Sequence, residues 1–137
     1  MIEAGDNSFM GIALEEARKA FRKGEVPIGV VIVRDGKIIS RAHNLRERKQ
    51  NALYHAETLA IDRACRKLKS WRLDGCEMYV TLEPCQMCMG AITNARLLRV
   101  YYGAVSTSDL NHKAESIHAP TPECSELLKK FFANARK

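Results

Sequence analysis

The stretches His55-Ala56-Glu57 and Pro84-Cys85-Gln86-Met87-Cys88 decide how the rest of the chain is read. Together they offer one imidazole, two thiols and a carboxylate, a set suited to holding a metal ion and moving protons beside it. A structural zinc site fills all four tetrahedral positions with protein ligands, whereas a catalytic site uses three and leaves the fourth to water. His55, Cys85 and Cys88 make three. Glu57 stands two residues after His55, so it can face the same cavity while staying off the metal, the place of a proton shuttle. Mixed thiolate and imidazole donors point to zinc, one ion per chain. Two other readings use the same residues. Cys85 and Cys88 would also serve as a redox pair, which leaves His55 and Glu57 without a task. A closed structural site would draw a fourth ligand from His43, His112, His118, Cys65, Cys76 or Cys124, none of which has motif spacing.

At 137 residues the chain is read as one domain, 1–137, with a core of its own. A hydrophobic content of 46% and a charged content of 28% fit a globular protein. No run reaches the ~18 apolar residues of a membrane span, and no basic-then-apolar leader opens the chain. A cytoplasmic protein without membrane contact is expected. Five cysteines are an odd number, and two are assigned to metal, which argues against a disulfide framework. Cys65, Cys76 and Cys124 are then expected as small reduced core residues. The net charge of +6 and pI near 9.2 favour a polyanionic partner. Cations gather at residues 46–49, at 63–72, and in Lys129, Lys130, Arg136 and Lys137.

Outward from the two motifs, the pattern alternates helix and strand. Residues 9–23 carry Met10, Ala13, Leu14, Ala17 and Phe21 as an amphipathic stripe, with Asp6, Asn7 or Ser8 as cap and Gly24 as stop. Residues 27–33 are a continuous β-branched run typical of a buried strand. Asp35-Gly36 predicts a tight turn into an antiparallel partner over 37–42. Asn44, at the end of that strand, either turns the chain or presents its amide to a ligand. Residues 45–53 read as a loop over the cavity. His55 opens a helix with Leu59, Ala60, Ala64 and Leu68 inward, and its start leaves the N–H of Ala56 free for a substrate carbonyl. Residues 78–82 form another strand after Gly75. Pro84 suits the first turn of a helix that places Cys85 and Cys88 on one face and runs to about Asn94. Residues 97–102 make a fourth strand, and 114–118 would supply a short fifth. Thr121-Pro122 opens a last helix with Cys124, Leu127, Leu128, Phe131 and Phe132 on one stripe. The order predicts a mixed sheet between helix layers, an α/β fold.

His-x-Glu followed by Pro-Cys-x-x-Cys is the signature of zinc nucleobase deaminases. With Glu25-Val26-Pro27-Ile28-Gly29, His43-Asn44, Tyr79-Val80-Thr81-Leu82-Glu83-Pro84-Cys85, Gly90-Ala91-Ile92, Tyr102-Gly103-Ala104 and Phe131-Phe132, nearly the whole chain resembles the cytidine-deaminase superfamily, and most closely the bacterial tRNA-specific adenosine deaminases. That resemblance implies a three-layer α/β/α sandwich with a central mixed sheet of four to five strands. It implies zinc on His55, Cys85 and Cys88, Glu57 as proton shuttle, and Asn44 against the base. It also implies a homodimer that converts the wobble adenosine of a tRNA anticodon loop to inosine.

Three segments depart from the family pattern. Asn51-Ala52-Leu53-Tyr54 stands where Asp-Pro-Thr-Ala is usual, and Ser106 stands where an Asp helps hold the tRNA loop, with Asp109 nearby. The Gly-rich segment and helix expected before Leu110-Asn111-His112 are missing. All three fall on the substrate side, so free bases or nucleosides are the alternative substrates. Fungal cytosine deaminases resemble the chain in the length from His43-Asn44 to His55 and in small, apolar residues before it, and guanine deaminases are a third possibility. A zinc-containing RNA-binding protein with a dead site would be expected to lack Glu57 or a ligand, and all four are present.

Overall fold

A run of β-branched residues with no polar face must be covered on both sides, and the sheet is built around one. In the computed structural model, which describes residues 7–106 and 115–135, strand β1 (Gly29–Arg34) lies inside a four-stranded sheet of order β2-β1-β3-β4. Strands β2 (Lys37–His43) and β3 (Glu77–Leu82) pair antiparallel with β1, and β4 (Arg99–Ala104) runs parallel to β3. The sheet is mixed, as expected. At the hairpin, Asp35 and Gly36 both have positive φ, 53° and 76°, which matches the twist of a two-residue connection.

Alternation sorts the β1 side chains onto two faces. Val30 and Ile32, with Met78 and Val80 of β3, pack in one core with Ala60 and Ala64 of helix α3 (Ala56–Leu68) and Ile92 of helix α4 (Gln86–Asn94). Val31 and Val33, with Tyr79, pack with Ala13, Phe9 and Met10 of helix α1 (Asn7–Arg22). Helices therefore cover both faces of the sheet, the expected α/β/α arrangement. Ala13, Ala17 and Ala20 are buried along α1. At Gly29 a Cβ would overlap the carbonyl oxygen of Ala13 and the backbone nitrogen of Ala17, so α1 rests on β1 backbone to backbone. That close approach admits only small side chains. Leu14 and Phe21, expected on the buried stripe, are 43% and 70% exposed instead.

Four further expectations are corrected. Residues 45–53 are not all loop, because Arg46–Lys49 form a short helix, α2. Helix α4 begins at Gln86 and not at Pro84, since Cys85 keeps an extended backbone (φ −72°, ψ 175°) and serves as the cap. Strand β4 begins at Arg99 and not at residue 97. No fifth strand forms among the described residues: 115–120 carry no regular structure, while residue 114 and Leu110-Asn111-His112 lie outside the described residues. A parallel crossover takes a dozen or more residues, and residues 104–110 offer only seven positions.

The chain divides into two units, Met1–Thr107 and Ser108–Lys137. In the second, helix α5 (Pro122–Ala135) opens at Pro122 as expected, and the rings of Phe131 and Phe132 meet edge to face at 5.3 Å. Cys124 is exposed there and not a core residue, because no other regular element is described within this unit to cover it. Among the described residues no helix is long and apolar enough to cross a membrane.

Candidate metal centre

Two helix starts meet at the sheet. His55 caps α3 with an extended backbone (φ −77°, ψ 156°), and Cys85 caps α4 in the same way. The residues of both motifs therefore sit at helix N-termini, where free N–H groups favour negative charge. Nδ1 of His55 lies 3.8 Å from Sγ of Cys85 and 3.6 Å from Sγ of Cys88. All three donor atoms lie within 4.8 Å of one another. In a tetrahedral zinc site with bonds of ~2.3 Å to sulfur and ~2.05 Å to nitrogen, the S···N separation is about 3.6 Å. The three side chains fit such an ion.

With no metal bound, the surroundings favour the uncharged forms of Cys88 and His55. Burial, then the charges of Glu57 and Cys85, push the Cys88 thiol far up, so a thiolate there needs a positive partner. Burial, then the positive charge of Arg46, holds the His55 imidazole below its usual range and hence neutral, the form that ligates. Glu57 is the second residue of α3 and is 3% exposed. Burial raises its carboxyl, and the Oε1 atom has no hydrogen-bond partner among the described residues. A buried carboxylate oxygen left unbonded is costly unless something else meets it. Ala56, fully buried, occupies the first position of α3, where the N–H has no intrahelical acceptor.

Asn44 is 4% exposed at the end of β2. The N–H of the next residue, Leu45, donates to the carbonyl of Tyr54 at 3.0 Å, which closes the intervening loop and brings the end of β2 beside the residue that precedes His55. Inside that loop Asn51 Oδ1 accepts from the N–H of Leu53, and the Thr58 hydroxyl donates to the Leu53 carbonyl. The unusual Asn51-Ala52-Leu53-Tyr54 segment thus supplies its own turn bonds.

His55, Cys85 and Cys88 are the one cluster of possible metal ligands among the described residues. The ring of His43 is held between Glu16 Oε1 at 2.8 Å and Lys23 Nζ at 3.0 Å. Cys65 is half-buried and Cys76 is buried, and His112 lies outside the described residues. Two nearby residues were given no role by the sequence, Glu25 standing there only within a segment of the family resemblance. Arg46 acts on His55 across the loop, and Glu25, 4% exposed, bonds Asn44. Nothing in their spacing marks them; only the crowding of cations at 46–49 hinted at Arg46. A groove of about 760 Å³ beside α4 and β4 is lined by Met89, Ile92, Leu98 and Tyr102 and by none of the three donors.

Residues 5–136 match the family model described as MafB19-like deaminase. A tRNA-specific adenosine deaminase of Bacillus subtilis (strain 168) is 45% identical, over 96% of this chain and 91% of its own. A structure from a study of A-to-I editing by tRNA:A34 deaminases at the wobble position of transfer RNA is 48% identical, with a TM-score of 0.72 over 74% of this chain and 73% of that one. A guanine deaminase from Bacillus subtilis is 27% identical, with a TM-score of 0.84 over 94% of both chains.

Proposed function

Because the chain belongs to the MafB19-like deaminase family, we propose that it is a zinc-dependent hydrolytic deaminase, a single domain over 1–137 that converts the wobble adenosine of a tRNA anticodon loop to inosine. The observation that carries the reading is the meeting of His55, Cys85 and Cys88 at tetrahedral spacing beside a buried carboxylate with one unbonded oxygen.

His55 Nδ1 and the two Sγ atoms would hold one zinc ion per chain. A zinc ion held there would acidify its water, so that hydroxide would be available near neutral pH. Every proton movement falls to Glu57. Its carboxylate takes a proton from the water and passes it to a ring nitrogen as oxygen adds to the amine-bearing carbon. Glu57 then takes the proton of the added hydroxyl and passes it to the amino group, so that the C–N bond breaks, ammonia leaves and a carbonyl stands in its place. The raised proton affinity of the buried carboxyl suits a group that must hold a proton between these steps. Asn44 would bond the base edge, and the N–H of Ala56 would bond the ring side of the substrate. The net charge of +6 suits an anionic RNA. The reading includes a homodimer in the cytoplasm, where tRNA is found.

A free purine base is the second reading, favoured by the guanine deaminase likeness over 94% of the chain. Ammonia release from an anticodon stem-loop, adenosine, guanine and cytosine, measured side by side, separates the two. The proposal expects inosine in the stem-loop with steep salt dependence. Strong activity on a free base with none on RNA overturns it in favour of the second reading. Zinc and RNA binding without ammonia from any substrate overturns both and leaves a non-catalytic RNA-binding protein.

A further inference from the structure

Helix α1 ends in a Schellman motif. Gly24, at φ 77°, donates its N–H to the carbonyl of Phe21 at 3.1 Å, and the next residue, Glu25, donates to the carbonyl of Ala20 at 2.9 Å. This exit turns Glu25 inward. A buried carboxylate must be met by donors, and Glu25 collects three N–H groups on its two oxygens. Oε1 accepts from Asn44 Nδ2 at 3.3 Å and from the backbone N–H of Glu47 at 3.1 Å, and Oε2 accepts from the backbone N–H of Arg48 at 2.6 Å.

Those two backbone groups are the second and third N–H groups of α2, the donors that a cap residue ordinarily satisfies. Leu45, in the cap position, makes no side-chain cap bond. Glu25 supplies from another element the acceptor that Leu45 lacks, so the cationic turn Arg46–Lys49 is set by the same carboxylate that touches Asn44. An ionised carboxylate accepts and does not donate. The amide of Asn44 can therefore face it in only one sense, with nitrogen toward Glu25. The flipped amide would set oxygen against oxygen.

We propose that Glu25 is a positioning residue of the deaminase: it fixes the amide of Asn44 in one orientation toward the substrate base and, through the N–H groups of Glu47 and Arg48, holds the Arg46–Lys49 turn in place beside it. The proposal rests on the reading of Asn44 as a base contact. Without the carboxylate, the amide samples both orientations and presents its donor and acceptor to the base in the wrong order part of the time. A glutamine in its place cannot accept on both sides, because its NH2 group would face a donor.

The test is a double-mutant cycle on the zinc-loaded protein with a wobble-adenosine stem-loop, measuring kcat, KM, zinc content and thermal midpoint for wild type, Glu25→Gln, Asn44→Ala and the pair. Loss of a hydrogen bond to a charged group is expected to lower kcat/KM of Glu25→Gln by about 10-fold to 100-fold with zinc retained. In the Asn44→Ala background the same change is expected to leave kcat within about threefold, since the amide it orients is gone. Glu25→Gln within about twofold of wild type while Asn44→Ala is impaired, an Asn44→Ala variant as active as wild type, or two losses that simply multiply, would each overturn the proposal. Wild-type protein that deaminates no base defeats the deaminase reading itself, a distinct result. Should Glu25→Gln fail to fold, hydrogen exchange of the wild type decides. Slow exchange of the Asn44 side-chain amide together with the Glu47 and Arg48 N–H groups supports the assignment, and exchange at the rate of exposed amides rejects it.

Discussion

Sγ of Cys88 lies 3.6 Å from Nδ1 of His55, although the two residues are 33 positions apart in the chain. Neutral thiol and imidazole groups gain little from that proximity, whereas a shared zinc ion would gain two bonds. Purified protein is expected to hold one zinc per chain by elemental analysis. A strong chelator should abolish ammonia release and lower the thermal midpoint, and added zinc should restore both. His55→Ala or Cys88→Ser retaining a full equivalent of metal would sink the assignment.

Glu57 is buried, with one carboxylate oxygen unbonded and its proton affinity raised by burial. Glu57→Gln preserves the shape but removes the base. Its kcat is expected to drop by roughly 10²-fold to 10⁴-fold, the usual worth of a positioned acid–base group, with zinc content unchanged. Turnover at wild-type rate would show that protons move by another route.

Glu16, buried, accepts from His43 Nδ1 at 2.8 Å, Arg41 Nε at 2.7 Å and Lys19 Nζ at 2.9 Å. Burial alone would raise its carboxyl, but these bonds outweigh burial and hold it at about 2, against 4.5 for a free side chain. A depressed folded value means stability that is complete above about 4.5 and is lost as pH falls toward about 2. The amount is at most roughly 3 kcal/mol, less the screening that reaches the partly exposed Lys19 and Arg41. Denaturant unfolding between these limits should show that slope in the wild type and a shallower one in Glu16→Gln. Equal slopes would mean the cluster does not hold the carboxyl down.

At Gly29 helix α1 rests on the sheet backbone to backbone. Gly29→Ala would drive a methyl group into the Ala13 carbonyl and the Ala17 nitrogen, and neither backbone atom can move without shifting the helix. A loss of about 3 kcal/mol or more is expected, at the upper end of overpacking costs. At Gly11, where a Cβ meets nothing within 4 Å, alanine should be neutral to stabilising by virtue of helix propensity. Equal midpoints for the two variants would contradict the backbone contact.

The sequence by itself marked His55, Cys85 and Cys88 as candidate ligands and Glu57 as candidate proton shuttle, and it determined the alternation of helices and strands. The meeting of His55 with the two cysteines was decided by the tertiary structure, whereas within each motif the residues are close in the chain: two positions separate His55 from Glu57, three separate Cys85 from Cys88, and period-two alternation assigns Val30 and Val31 to opposite faces. Covalent spacing and local geometry are enough for such relations. Only the tertiary structure decided which alanines of α1 meet Gly29, leaving Leu14 and Phe21 in water. It alone showed that a carboxylate at the end of α1 caps α2 and holds Asn44, and that the Arg46 charge reaches His55. Those relations join side chains whose partners are chosen by how elements stack, and no local periodicity encodes the distance between one element's end and another's beginning.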